Sequence, residues 1–337
     1  MGTRRSTRRS SVLGAVLALA ALAPACGSGR AAAGDDPAKL NVVTTVSPLT
    51  SIAANVAGDA AEVRGLVPEG ANSHTFEPPP SAARTLARAD VVFVNGLKLE
   101  DPTRELAAAN LKKGAEIVSL GDRTIGPADY LYDFSFPREG GKPNPHLWTN
   151  PPYAKDYARI VRDTLARRDP PDAARFEANY ERFAAKVDEL DAAMRAASAT
   201  VPRKSLLTYH DAYAYFARQY GWTVIGAVQI ASFEEPTPKE VGRLIQQVRQ
   251  LGVPAIFGSE VFPSPVLAQI GAEAGVRYVD KLRDDDLPGR PGDPDHSWLG
   301  LMKFDFVTMV ENLGGDASAL QAVQVADAAP DTAVYPQ

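Results

Sequence analysis

The sequence predicts an α/β protein of two lobes, each built on a four-stranded parallel sheet, lying on either side of one long helix. Three observations predict it. Short β-branched runs alternate with amphipathic stretches, the alternation that builds parallel sheets. The alternation occurs twice, with four strand-like runs each time. Between the two series, residues 172–197 carry Phe176, Tyr180, Phe183, Ala184, Val187, Leu190 and Met194 at steps of three and four, an amphipathic helix of about seven turns.

The chain opens with Arg4, Arg5, Arg8 and Arg9, runs apolar from Val12 and reaches Ala-Pro-Ala-Cys at Cys26. That order is a secretory signal, expected over residues 1–26. Its apolar run of about a dozen residues is shorter than the roughly 18 to 20 that span a bilayer. Cys26 stands where bacterial lipoprotein signals place their modified cysteine, so a membrane lipid anchor is expected there. Two details pull the other way: Ala23, not leucine, occupies the third position before Cys26, and Ala23 with Ala25 also fits ordinary cleavage and release. The arginine-rich start further resembles a twin-arginine export signal.

Residues 27–38 are small and polar, a flexible tether. The N-terminal lobe is expected over 39–170, with strands at 40–47, 62–67, 90–95 and 116–119 and helices at 48–57 and 81–89, Ser81 capping the second. Residues 120–145 read as a long loop in which Tyr130, Tyr132, Phe134 and Phe136 pack locally. Asn150 caps a helix that has Pro151 in its first turn and ends near Arg168. The backbone helix falls in 171–200. The C-terminal lobe, 201–313, offers strands at 205–209, 223–228, 254–258 and 277–280, helices at 212–220, 238–251 and 265–274, and a closing helix at 302–313. The last segment, 314–337, rich in Ala, Asp and Gln, reads as a disordered tail.

Composition excludes several function classes. One cysteine in 337 residues allows neither an internal disulfide nor a cysteine metal cluster. A net charge of −5 argues against a nucleic-acid surface. The phosphate-cradling Gly-x4-Gly-Lys-Ser/Thr loop is missing, so this chain does not supply ATP energy.

The chemistry is concentrated in the histidines. Three of the four, His74, His146 and His210, stand in loops just before helices, and Asp280 ends a strand in the same way. Loops at the carboxyl ends of parallel strands form the ligand crevice of such sheets. Two groups from each lobe would then face one another. Three imidazoles and a carboxylate suit a first-row transition ion in a four-coordinate shell, whereas magnesium and calcium prefer oxygen alone. Each residue taken alone reads more simply as a cap or hydrogen-bonding group; the equivalent placement of three histidines outweighs that. His296, beside Ser297 and Trp298, lacks such a setting and reads as surface or helix-capping.

The strings VVTTVSPL (42–49), LVPEGANSHTFEP (66–78), NGLKLE (95–100), NPHLWTNP (144–151) and YHDAYAYF (209–216) resemble the TroA-like zinc- and manganese-binding receptors of bacterial ABC importers. The resemblance spans about residues 40–313. It implies the helical-backbone metal-receptor fold, two lobes joined by a long rigid backbone α-helix, with the ion held at the positions of His74, His146, His210 and Asp280. It further implies Zn2+ as the transported ligand, with Mn2+ or Fe2+ as alternatives, since histidine at the third position is more typical of zinc binders. An ABC permease with a separate ATPase subunit is the implied partner of a monomeric, extracytoplasmic receptor. The loop 120–145 departs from many zinc-specific members in containing no histidine. Glu77 and Asp211 are candidates to orient the imidazoles, and Glu234, Glu235 and Glu260 carry no assigned role. A secreted zinc hydrolase is the rival from another class, disfavoured because four protein ligands close the shell and no His-Glu-x-x-His helix exists; a surface adhesin on the same fold is a third reading.

Overall fold

A computed structural model describes residues 38–229, 236–259 and 264–337. The first sheet comprises β1 (Leu40–Thr44), β2 (Ala61–Gly65), β3 (Val91–Val94) and β4 (Glu116–Ser119), parallel throughout and ordered β2-β1-β3-β4. The second comprises β5 (Ser205–Thr208), β6 (Thr223–Ala227), β7 (Ala255–Ser259) and β8 (Arg277–Leu282), also parallel, ordered β6-β5-β7-β8. Strand order reverses at the β1/β3 and β5/β7 junctions, where the connections diverge to opposite sides and open a crevice at the carboxyl ends.

Helices α1 (Ser47–Ala57), α2 (Ala82–Leu86), α3 (Asp101–Asn110), α4 (Leu120–Thr124) and α5 (Pro151–Arg168) belong to the first lobe. The 28-residue α6 (Ala173–Thr200) is about 42 Å long at 1.5 Å per residue. It packs on α1 and α5 along one part of its length and on α7 (Ala214–Tyr220) and α10 (Trp298–Asn312) along another, burying Phe176, Phe183, Val187, Leu190 and Met194. The second lobe adds α8 (Pro238–Leu251) and α9 (Pro265–Ala274). One apolar cluster runs from Val42 and Phe93 through the α6 side chains to Phe257 and Phe306, so the described residues form a single compact unit. A shared core of this kind resists wide separation of the lobes.

Several expectations are corrected. Residues 101–110 form a helix, with Pro102 in its first turn, that the polar, alanine-rich stretch did not announce. Neither Ser81 nor Asn150 caps through its side chain; the Asn150 amide instead donates to the Tyr215 carbonyl at 3.2 Å. The final segment is not disordered. It forms α11 (Ser318–Ala322) and then runs along β2, where Gly65 N–H donates to Val334 O (2.9 Å), Val334 N–H donates to Val63 O (3.0 Å), and Tyr335 is buried. Its sparse apolar residues suffice because they cover the edge of an existing sheet instead of building a core. His296 is also buried, its Nδ1 3.1 Å from Pro288 O and its ring edge-on to Tyr335. The signal segment, most of the tether and Glu234, Glu235 and Glu260 lie outside the described residues.

Candidate metal centre

His74 follows β2 in a turn closed by Asn72, whose Oδ1 accepts the His74 N–H at 2.9 Å. His146 precedes the short 3-10 turn Leu147–Thr149, and Asn144 Oδ1 accepts both its backbone N–H (3.0 Å) and its Nδ1–H (2.8 Å). The Asn144 amide is oriented by its own donations to Asp133 Oδ2 and Asp211 O, which fixes its oxygen toward the imidazole. His210 follows β5, with Nδ1 2.6 Å from Gln229 Oε1. In both His146 and His210 the proton therefore sits on Nδ1, and Nε2 presents a lone pair.

These Nε2 atoms converge. His210 and His146 are 2.8 Å apart, and His74 lies 3.1 Å from each. The fourth member is Asp285, whose Oδ1 is 3.8 Å from His146 Nε2, is buried and has no hydrogen-bond partner, while its Oδ2 accepts from Ser73 Oγ at 2.6 Å. The four ligand atoms all lie within 4.8 Å of one another. A tetrahedral shell with bonds of about 2.0–2.1 Å has edges of about 3.3–3.4 Å, a value the observed separations bracket. Imidazole lone pairs and an orphaned carboxylate oxygen this close together repel one another unless a cation lies between them.

Asp280 is not part of this group. It is exposed on β8, beside a surface depression of about 360 Å³ lined also by Arg277, Lys281 and Phe304. The strand continues two residues beyond Asp280 to Leu282, and only after it does the chain turn into the crevice. The loop that does so is held from both lobes. Asp305 on α10 accepts from the backbone N–H groups of Arg283 (3.0 Å) and Asp284 (3.3 Å), and the Trp148 indole donates to Asp284 O at 2.9 Å. The missed signal is the run Asp284, Asp285, Asp286 between Leu282 and Leu287: three acids that the flanking leucines draw inward.

Burial holds the His74 and His146 pKa values well below the usual imidazole range, with His210 nearby adding to the effect in both. Burial thus favours the neutral imidazole, the form that can ligate a metal. Burial raises Asp285, opposed by His210 and the Ser73 hydroxyl. Of the proposed orienting acids, Glu77 is exposed, and Asp211 binds the backbone N–H groups of Phe134 (3.1 Å) and Ser135 (3.3 Å) instead of an imidazole. Asn144, Gln229 and Ser73 hold His146, His210 and Asp285 instead, and neutral side chains of this kind carry no signal in a search for charged partners.

Residues 42–312 match the family model described as zinc-uptake complex component A, periplasmic. The chain belongs to that family. Its members are metal-binding receptors of ABC importers and not enzymes. Among curated relatives, the receptor is 27% identical over 300 residues to the manganese-binding lipoprotein MntA of Halalkalibacterium halodurans, covering 88% of this chain and 96% of the relative. It is 26% identical over 308 residues to the iron-binding protein YfeA of Yersinia pestis, covering 91% and 96%. Among solved structures, the periplasmic zinc-binding protein TroA of Treponema pallidum superposes with a TM-score of 0.73 at 25% identity, over 82% of the receptor and 99% of TroA. The two four-stranded lobes and the connecting helix are those of this structural group. Among the described residues no helix is long and apolar enough to cross a membrane.

Proposed function

We propose that the receptor captures zinc between its lobes, through His74, His146, His210 and Asp285, and delivers it to a membrane permease driven by a separate ATPase. The single observation that carries this reading is the convergence of three imidazole Nε2 atoms, 2.8–3.1 Å apart, on the unpartnered Asp285 oxygen. A nitrogen-rich, four-membered donor set, three of whose members are buried, suits zinc better than an ion that prefers six oxygen-rich positions. Manganese or iron is the second reading, favoured by the similarity to the manganese-binding lipoprotein MntA and the iron-binding protein YfeA. The chain acts outside the cytoplasmic membrane as a monomer, tethered by lipid at Cys26.

Competitive titration of zinc against manganese, followed by calorimetry with elemental analysis, tests the proposal. One zinc per chain, held more tightly than manganese, supports it; retention of manganese with no zinc binding moves the assignment to the second reading.

A further inference from the structure

The aromatic, histidine-free stretch after α4, residues 125–145, supplies none of the four candidate ligands, yet it lies against His74 and His146 and reaches the residue that holds His210. Phe136 is buried, with its ring centroid 5.5 Å from that of His74 and 5.7 Å from that of His146. Its neighbours are fixed to the opposite lobe. Phe134 N–H and Ser135 N–H donate to Asp211, and the Ser135 hydroxyl donates to the carbonyl of Gln229, the residue whose side chain holds His210. At its far end the loop supplies Asn144, which holds His146. His146, His210 and Asp285 are buried, His74 is the partly exposed member, and the Phe136 ring lies against it.

We propose that Phe136 is the solvent seal of the ion site and a determinant of its specificity. The inference rests on the metal-capture reading above. An apolar ring against two of the imidazoles denies water a place in the shell, and an apolar shell around a metal controls solvent access and coordination. The site is thereby biased toward an ion satisfied by four protein donors and against one that keeps water ligands. Exchange of the ion requires the Phe134–Phe136 segment to lift, which sets the release rate.

The test compares the protein with its Phe136→Ala, Phe136→Leu and Ser135→Ala variants, using zinc release to excess chelator and the visible spectrum of the cobalt(II)-loaded form. Phe136→Ala releases zinc faster, by on the order of tenfold, and its cobalt bands weaken as water raises the coordination number. Phe136→Leu keeps rate and spectrum close to those of the parent. Ser135→Ala loosens the tie to Gln229 without altering the core, and accelerates release to a lesser degree. Unchanged release and cobalt spectra in Phe136→Ala and Ser135→Ala overturn the seal. Failure of the parent protein to bind zinc or cobalt removes the metal-capture reading itself, and the seal with it.

Discussion

Asp285→Asn is the perturbation that most sharply separates the structural ligand set from the one legible in the sequence. The substitution keeps size and an oxygen but removes the charge from an atom that faces His146 Nε2 at 3.8 Å and has no other partner. One pair of unit charges at 4 Å in an effective dielectric of about 20 is worth about 4 kcal/mol, or about a thousandfold in affinity. A divalent ion increases that value, and ionising the buried carboxyl, whose pKa burial raises, reclaims part of it. The net expectation is a loss of about a hundred- to a thousandfold in zinc affinity. Asp280→Asn, at an exposed strand position, changes affinity by no more than about twofold. Competition against a chromophoric chelator measures both. A large loss in Asp280→Asn with parental affinity in Asp285→Asn would refute the assignment.

Other predictions follow from the same network. Asn144→Ala frees the His146 tautomer and weakens zinc binding by about ten- to a hundredfold, measured by the same competition, with little change in fold by circular dichroism. Protons compete with zinc for imidazole as pH drops, and because burial holds His74 and His146 well below the usual imidazole range, their loss of the ion sets in below about 6.5 and not at it; affinity that stays constant down to the pH of acid unfolding would count against histidine ligation. Metal-free stability runs the other way between pH 9 and 6.5. Burial raises Glu100 and Asp305 to about 7, and burial with the facing Asp211 raises Asp133 to about 9. The folded state takes up protons in that window while unfolded carboxylates stay ionised, so the thermal midpoint of the metal-free form is higher at pH 6.5 than at pH 8.5. Tyr335→Ala, in the strap along β2, costs about 3 kcal/mol in denaturant unfolding; an unchanged midpoint would show that the tail does not support the first lobe.

The fold was legible because its signals are periodic and strong. The valine-rich run Val91–Val94 and the small and apolar run Ala255–Ser259 are buried throughout, as central parallel strands must be, and α6 shows its stripe over several turns. What was missed depends on contacts that a one-dimensional pattern does not encode. The α3 stretch buries only Thr103 and Ala107, too little for a visible stripe, and the final segment takes its order from the edge of β2. In the candidate site, rarity and placement pointed to the three histidines that the structure brings together. The carboxylate was misplaced by five residues because a strand's end is set by its partner β7, whose register shifts after Phe257, and not by its own composition. Asn144 and Gln229 carry no charge to announce them, and only their distances to His146 and His210 give them a role.

The central claim, one transition ion held by three imidazoles and Asp285, is tested most directly by X-ray absorption spectroscopy of the zinc-loaded protein. The predicted spectrum has four nearest neighbours, nitrogen or oxygen at about 2.0–2.2 Å, with the multiple scattering of three imidazoles, reduced to two in His210→Ala. A six-coordinate all-oxygen shell, or imidazole scattering unchanged in that variant, would contradict it.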